Sequence, residues 1–329
     1  MWVAAFYRFT SFTEEELGPL RERLETLAAG ADLKGTLLLA PEGVNGSLSG
    51  SRKQLNTFLS AMGNDSRLVD LDVKTSWCPD HAFHRLKVRI KREIVSLGRP
   101  EVNPNAAVGI YVAPREWDAL IQDPGTLVID TRNDYEVALG SFAAAIDPGT
   151  RHFRDFPDWV ERHLTPALEH TPPERRPQRL ALFCTGGIRC EKATSYLLRK
   201  GFQGVHHLRG GILRYLEQIA VEQIAVEQSS WRGECFVFDQ RVALNHRLQP
   251  GEHSLCHGCR MPLSPEDRTL ASYVEGVSCR HCHSSRNDQD RERLRERQRQ
   301  ILLAQGRGEV HIGRRFIPTR SEADRPSRR

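Results

Sequence analysis

The alternation of apolar and polar positions along the first part of the chain predicts a compact order of strands and helices. Strands are predicted at residues 3–9, 34–40, 47–49 and 68–75. A helix capped at Thr13 follows the first strand, and a second helix at residues 52–62 follows the third. The order β-α-β-β-α-β is that of a ferredoxin-like α+β domain. We assign residues 1–98 to this N-terminal domain.

Residues 83–91 alternate basic and apolar side chains. Alternate residues share one face of a strand, so Arg85, Lys87, Arg89 and Lys91 are predicted to form one basic face. Two interpretations fit this pattern equally well: a surface for a phosphate backbone, or a solvated sheet edge protected by charge. Residues 99–109 contain two prolines, two asparagines and a glycine, and are predicted to be a linker.

From Ile110 onward, short apolar runs alternate with helical patterns. This order is typical of a doubly wound parallel sheet with helices on both faces, and we assign it residues 110–230. Predicted strands include residues 127–130, 180–183 and 205–208. Ligands of such sheets bind beyond the carboxyl ends of the strands, which is where Cys184 lies.

A five-residue duplication lies near the end of this domain. The block at 217–221, Glu-Gln-Ile-Ala-Val, is repeated at 222–226. Five residues turn an α-helix through about 500°, so a continuous helix would lose the register of its apolar face. We expect the duplication to lengthen or displace the last helix.

The loop after Phe183 carries the clearest candidate chemistry. Cys184 ends an apolar strand and is followed by Thr185, Gly186, Gly187 and Ile188, and then by Arg189 at the start of a helical pattern. Glycines let successive N–H groups point inward, while the helix N-terminus and Arg189 add positive charge. All three favour a thiolate, so Cys184 is a candidate nucleophile. The alternative is a buried structural cysteine.

Two further cysteine pairs predict a metal site. Cys256 and Cys259 are separated by 19 residues from Cys279 and Cys282, and each pair has the Cys-x-x-Cys spacing. This is the spacing of a four-cysteine structural zinc site, with free or redox-active thiols as the alternative. We assign residues 231–285 to this cysteine-rich segment.

The positive charge of the protein is concentrated in the last part of the sequence. The net charge is +5 over 329 residues, and residues 286–329 alone contain 13 Arg against 7 acidic residues. This basic tail, predicted to be partly disordered, indicates either a polyanionic partner or a solvated charged helix. No apolar run is long enough to span a membrane, and eight cysteines without a signal sequence indicate a reducing cytoplasm.

Several motifs together resemble one enzyme family. Asp130-Thr131-Arg132 with Glu136, the Cys184 loop and Gly210-Gly211 resemble a rhodanese domain. The segments 40–46 (Ala-Pro-Glu-Gly-Val-Asn-Gly), 184–192 and 236–239 (Phe-Val-Phe-Asp), with the order of the three regions, resemble the rhodanese-type tRNA uridine hydroxylases. The resemblance therefore implies an α/β protein with a ferredoxin-like domain, a central rhodanese domain and a small zinc-binding segment with a basic tail.

The family resemblance also implies a function. It predicts oxygen-dependent hydroxylation of the wobble uridine, position 34, of tRNA to 5-hydroxyuridine, with Cys184 essential, Arg189 assisting, Asp130 and Arg132 in support, O2 as co-substrate and the anticodon arm as partner. The sequence leaves the electron donor, the tRNA subset and the oligomeric state open. Two alternatives remain: a persulfide-carrying sulfurtransferase, favoured by the six-residue loop from Cys184 to Arg189, and a non-catalytic RNA-binding module.

Overall fold

Five strands form the N-terminal sheet in the computed structural model, which describes residues 1–69, 71–223 and 226–308. The strands are β1 (Trp2–Phe9), β2 (Lys34–Ala40), β3 (Gly43–Gly50), β4 (Lys74–Trp77) and β5 (Leu86–Ile90), in the spatial order β4-β1-β3-β2-β5. Helices α1 (Glu14–Gly30) and α2 (Arg52–Met62) follow β1 and β3. The predicted ferredoxin-like domain is confirmed, and β5 extends it by pairing parallel to β2.

The two helices cover one face of this sheet. Leu17, Leu20, Leu24 and Ala28 of α1 are buried, as the helical spacing of apolar residues requires. They join Leu37 and other inward-facing strand residues in one core cluster. The opposite face of the sheet is left for the rest of the first compact unit.

The predicted strand at residues 68–75 is wrong in position. A 3-10 turn occupies Ser66–Leu68, capped by the Asp65 side chain, which accepts from the Arg67 N–H at 3.1 Å. Strand pairing starts later, at Lys74, because β1 offers partners from Trp2 to Ala5, which match residues 77 to 74. The pairing with β1 therefore decides where this strand begins, and the apolar alternation of the sequence does not.

A four-stranded parallel sheet forms the second domain. Its strands are β6 (Ile110–Val112), β7 (Thr126–Asp130), β9 (Arg179–Phe183) and β10 (Val205–Leu208), in the order β6-β10-β9-β7. Its helices are α3 (Pro114–Gln122), α4 (Asp134–Val137), α5 (Phe156–Trp159), α6 (Thr165–His170), α7 (Ile188–Arg199) and α8 (Gly211–Glu222). The short strand β8 (Gly140–Phe142) pairs with β11 (Trp231–Gly233). The predicted parallel sheet is confirmed.

The segment before β6 packs on this second domain. Leu97 and Val102 are buried in the core cluster that contains Ile129 and Leu182. Val102 of the predicted linker therefore contributes to the hydrophobic core.

The duplication ends the last helix of the second domain. Helix α8 includes the first copy and stops at Glu222, and Gln223 adopts a left-handed conformation with φ of +52°. Ile219 is buried whereas Val221 is 74% exposed, so the apolar face does not continue. Residues 224 and 225 lie outside the described residues.

The remaining elements are short strands and one long helix. Strands β12 (Cys235–Phe236) and β13 (Ala243–Leu244) form one hairpin. Strands β14 (Ser254–Leu255) and β15 (Pro262–Leu263) are two residues long each. The chain divides into two compact units, Met1–Leu255 and a second that begins at Cys256. Helix α9 (Asp288–Gly306) lies in the second unit, and the predicted disorder of the tail after residue 308 lies outside the described residues. No helix among the described residues is long and apolar enough to cross a membrane.

Candidate active site

The cysteine loop lies at the carboxyl end of β9, where the chain leaves the parallel sheet and enters α7. Cys184 is buried, and the Gly187 N–H donates to its Sγ at 3.1 Å. Gly187 has a φ of +100°, a conformation that favours glycine. The start of α8 supports the loop from behind, because the N–H groups of Ile212 and Leu213 donate to the carbonyls of Cys184 and Thr185 at 2.9 and 3.0 Å.

The surroundings of Cys184 favour its thiolate. Burial raises the pKa of this thiol, but the Cys190 thiol, the Arg189 charge and the N–H groups of Cys190 and Gly187 outweigh burial and hold the pKa well below its usual range. Cys190 keeps its proton, because burial and the neighbouring Cys184 raise its pKa. The thiolate is the nucleophilic form of cysteine. Cys184 is therefore equipped as the nucleophile and Cys190 as a hydrogen-bond donor to it.

Arg189 is held by a buried carboxylate. Its two terminal nitrogens donate to Glu136 at 2.6 and 2.8 Å, and both side chains are buried. One of these nitrogens also donates to the Thr185 hydroxyl at 3.3 Å. This bidentate pairing fixes the guanidinium beside the loop, where its charge acts on Cys184.

Asp130 and Arg132 form a second buried ion pair, at 2.6 Å. The Asp130 carboxylate also accepts from the Ser141 hydroxyl at 2.9 Å, and Arg132 donates to the Gly140 and Glu136 carbonyls at 2.6 and 3.3 Å. These contacts tie the end of β7 to β8 and to the backbone of Glu136. The pair thereby contacts the backbone of Glu136, the residue whose carboxylate holds Arg189.

The open face of the N-terminal sheet lies against the cysteine loop and encloses a cleft of about 530 Å³. This volume is in the range of small-molecule binding sites. The sheet contributes Ala5, Tyr7, Thr36, Leu38, Asn45, Ser47, Lys74 and Ser76. The opposite wall includes Cys184, Thr185, Gly186, Ile188, Arg189, His152, Arg154, Phe238 and Arg241. Cys184 is 0% exposed and lines the base of this cleft.

Lys192 joins the two domains beside the cleft. Its Nζ lies 2.8 Å from Glu42, also contacts Glu93, and donates to the Val95 carbonyl at 2.9 Å. Glu42 in turn accepts from the Ile94 N–H at 2.6 Å. The Lys192 side chain is 1% exposed, so its charge is neutralised almost entirely by these partners.

The segment 236–239 closes another side of the cleft. The Arg189 guanidinium lies 6.0 Å from the centre of the Phe238 ring, which is 62% exposed. Asp239 pairs with Arg241, and Arg241 donates to the Ser76 hydroxyl of β4 at 2.7 Å. The segments 40–46, 184–192 and 236–239, far apart in sequence, therefore meet around one cleft.

Tyr7 and Lys74 line the cleft and Glu191 contacts Tyr7, and no local pattern in the sequence predicts these contacts. Tyr7 donates to Glu191 at 2.7 Å across 184 residues of chain. Lys74, 5% exposed, lies 4.8 Å from the centre of the Tyr7 ring and pairs with Asp72 at 2.8 Å. The one available hint was that Glu191 stands in the helical segment directly after the cysteine loop.

The basic residues of β5 lie on the cleft side of the sheet. Lys87 is paired with Thr36, and Arg89 with Leu38. Paired residues point to the same face, and Thr36 and Leu38 line the cleft. Arg85 and Lys91 flank the strand, and like Arg89 they are exposed. Lys87 and Arg89 thus share the face of the sheet that lines the cleft, and the basic face of all four residues stays a prediction.

The four cysteines of the second unit lie together. All four Sγ atoms lie within 4.8 Å of one another, and Cys256–Cys282, Cys259–Cys279 and Cys279–Cys282 are separated by 3.9, 3.6 and 3.9 Å. A tetrahedral site with Zn–S bonds of about 2.3 Å places its sulfurs about 3.8 Å apart. The cluster therefore has the donor set and spacing to bind a metal ion.

Comparisons with known proteins agree with this architecture. Residues 1–94 match a UPF0176 acylphosphatase-like domain, and residues 113–218 match a rhodanese-like domain. A relative from Parasynechococcus marenigrum named tRNA uridine(34) hydroxylase is 53% identical over 293 residues, covering 88% of each chain. This chain belongs to the tRNA uridine(34) hydroxylase family.

Other members of the tRNA uridine(34) hydroxylase family match over similar lengths. A relative from Prochlorococcus marinus is 54% identical and covers 88% of this chain and 90% of its own. One from Sinorhizobium fredii is 50% identical and covers 94% of each chain. Both carry the same name, so the family resemblance expected from the motifs is confirmed.

Proposed function

We propose that this protein hydroxylates C5 of the wobble uridine of tRNA to give 5-hydroxyuridine, with O2 as the oxidant and Cys184 as the essential group. The observation that carries the proposal is a cysteine held as a thiolate at the base of a cleft, in a chain 53% identical to a named tRNA uridine(34) hydroxylase. One oxygen atom enters the base and the other leaves as water. That balance consumes two protons and two electrons from a reductant.

Cys184 would activate the base by adding to C6 of uracil. Addition of a thiolate to C6 moves electron density to C5, and this electron-rich carbon then reacts with O2. Arg189 and the loop N–H groups maintain the thiolate before addition. The Glu136 carboxylate holds Arg189 in place for this task.

The anticodon arm is the proposed RNA partner. Single-stranded loops present unstacked bases that a protein accommodates in a pocket. Because Cys184 is buried at the base of the cleft, the target base must enter the cleft to react with it. Arg85, Lys87, Arg89 and Lys91 would bind backbone phosphates along the sheet face that leads to the cleft. Replacing Lys87 and Arg89 by glutamate should weaken tRNA binding and reduce its salt dependence, measured by filter binding across a salt series.

Zinc is the proposed ion of the four-cysteine cluster. Four thiolates leave no open position, so Cys256, Cys259, Cys279 and Cys282 would hold a structural ion that stabilises the second unit. We also place the protein in the cytoplasm, because thiolates and unpaired cysteines persist in a reducing compartment.

Oxygen labelling tests the proposed reaction. Cells expressing this protein, in a strain without 5-hydroxyuridine, are grown under oxygen-18 gas and their tRNA nucleosides are analysed by mass spectrometry. The proposal expects the heavy isotope in the new hydroxyl. Label derived from water, or absence of 5-hydroxyuridine, would contradict it.

A persulfide-carrying sulfurtransferase is the second candidate, favoured by the six-residue loop and the Cys184 thiolate. Thiosulfate and cyanide test it directly. Rapid thiocyanate formation by a protein that leaves tRNA unmodified would favour it over hydroxylation.

A further inference from the structure

Hydroxylation at C5 requires a proton acceptor. Once oxygen is bonded to C5 and Cys184 to C6, the aromatic base is restored only when the C5 proton leaves. The side chains that favour the Cys184 thiolate are poor acceptors, because Arg189 is a permanent cation and the pKa of Cys190 is raised by burial and by Cys184. A base that faces the cleft from another element can take this proton.

Tyr7 occupies the required position. It lines the cleft from β1, and its hydroxyl packs on the cysteine loop, since a Cβ built on Gly187 would lie 2.8 Å from it. Gly187 is the residue whose N–H donates to the Cys184 sulfur. The Tyr7 hydroxyl thus packs on the residue whose N–H contacts the Cys184 sulfur.

Glu191 lies behind Tyr7 and receives its hydrogen bond at 2.7 Å. Burial raises the pKa of the Glu191 carboxyl, which makes it a stronger base than an exposed carboxylate. The titratable groups that face it are Tyr7 from β1, Tyr111 from β6, Lys74 from β4 and Cys184 from the loop.

Cys184 and Glu191 are expected to carry their negative charges at different stages of the reaction. A thiolate at Cys184 disfavours a carboxylate at Glu191, since each negative charge raises the pKa of its neighbour. When Cys184 is bonded to C6, its sulfur is neutral and this repulsion is absent. The Glu191 carboxylate is then favoured at the stage when a base is needed.

We propose that Tyr7 and Glu191 form the proton relay that completes the reaction. The C5–H bond breaks and its electron pair forms the C5–C6 double bond, while the C6–S bond breaks and leaves its pair on Cys184 as a thiolate. The proton passes to the Tyr7 hydroxyl oxygen as Tyr7 gives its own proton to Glu191. Tyr7 is the catalytic residue of this step, Glu191 is a positioning residue behind it, and the relay rests on the proposed function.

Trapping of the covalent intermediate tests the relay. Wild type, Tyr7→Phe and Glu191→Gln are expressed in a strain without 5-hydroxyuridine, and product is measured by mass spectrometry of tRNA nucleosides. Protein–tRNA adducts are measured on denaturing gels. We expect both variants to lose product by about 100-fold or more, as is usual for a lost general base, and to accumulate an adduct that disappears when Cys184 is also replaced by alanine.

Tyr196 provides a matched control, because it lies on α7, the helix that carries Glu191. Tyr196 donates to Glu161 at 2.9 Å, so Tyr196→Phe removes an equivalent hydrogen bond away from the cleft and should change neither readout. Glu191→Asp keeps the acid and should restore part of the product.

The outcomes separate the two proposals. Normal product from Tyr7→Phe, or loss of product without an adduct in both variants, would overturn the relay. Failure of the wild type to form 5-hydroxyuridine would overturn the proposed function and the relay with it.

Discussion

Replacing Lys192 by methionine keeps the length of an apolar stem and removes the ammonium group that joins the two domains. In the native protein this group contacts Glu42 at 2.8 Å, Glu93, and the Val95 carbonyl at 2.9 Å. The side chain is 1% exposed, and those of the two carboxylates are 20% and 19% exposed. The substitution therefore leaves two partly buried negative charges facing each other.

The expected loss follows from the burial of the pair. At 2.8 Å and an effective dielectric constant of about 20, one charge pair interacts by about 6 kcal/mol. Desolvation of the buried ammonium offsets a large part of that energy. Removing one partner of a buried pair costs about 3–5 kcal/mol, and we expect a loss of unfolding free energy of this size.

The loss of unfolding free energy caused by Lys192→Met should depend on pH. Burial raises the pKa of Glu93, but the hydrogen bond and charge of Lys192, together with the Leu97 and Gly98 N–H groups, outweigh it and hold this pKa below its usual range. A carboxyl with a lowered folded pKa stabilises the fold above its unfolded pKa and loses this contribution as pH falls through the folded value. The difference between wild type and Lys192→Met should thus be complete at neutral pH and narrow in acid, below about pH 4.

Urea denaturation of both proteins at neutral and acid pH measures this difference. Lys200→Met is the matched control, because Lys200 pairs with Glu161 where both side chains are 44% and 47% exposed. Such a pair contributes about 0–1 kcal/mol. Equal losses of unfolding free energy from the two substitutions at neutral pH would show that burial of the Lys192 ion pair does not increase its contribution to stability.

Three further substitutions test the loop and the metal cluster. Arg189→Gln should raise the pKa of Cys184, and once this pKa lies above the assay pH, each further unit leaves about ten-fold less thiolate. Arg189→Lys should raise the pKa less. Titration of thiolate ultraviolet absorbance measures both shifts. Gly187→Ala should cost at least about 1–2 kcal/mol in urea denaturation, since the residue has a φ of +100°, whereas Gly186→Ala, which meets no atom within 4 Å, should be neutral. Cys279→Ser should lower the zinc content from one ion per chain, measured by elemental mass spectrometry.

Local patterns were sufficient to predict the cysteine loop and the elements around it. The apolar run before Cys184, the two glycines and the helical spacing after Arg189 are all encoded within a few residues. Strand and helix order likewise predicted both sheets. The alternation in residues 83–91 predicted one basic face, because a strand fixes side-chain direction at every second residue.

Long-range contacts could not be predicted in this way. The Tyr7–Glu191 hydrogen bond spans 184 residues and the Lys192–Glu93 pair spans 99, so no periodicity connects them. The misplaced strand at residues 68–75 has the same origin, because strand pairing with β1 decides where β4 begins. Local patterns therefore predict the wall of the cleft that carries Cys184, whereas the contacts across the cleft depend on the tertiary fold.

Mass spectrometry of tRNA nucleosides is the most direct test of the role of Cys184. A strain without 5-hydroxyuridine is given the wild-type chain, Cys184→Ser or Cys184→Ala. We expect 5-hydroxyuridine at position 34 with the wild type and none with either variant, because a hydroxyl or methyl group does not form the nucleophile that the loop stabilises. Full hydroxylation by Cys184→Ser would contradict the essential role of the Cys184 thiolate.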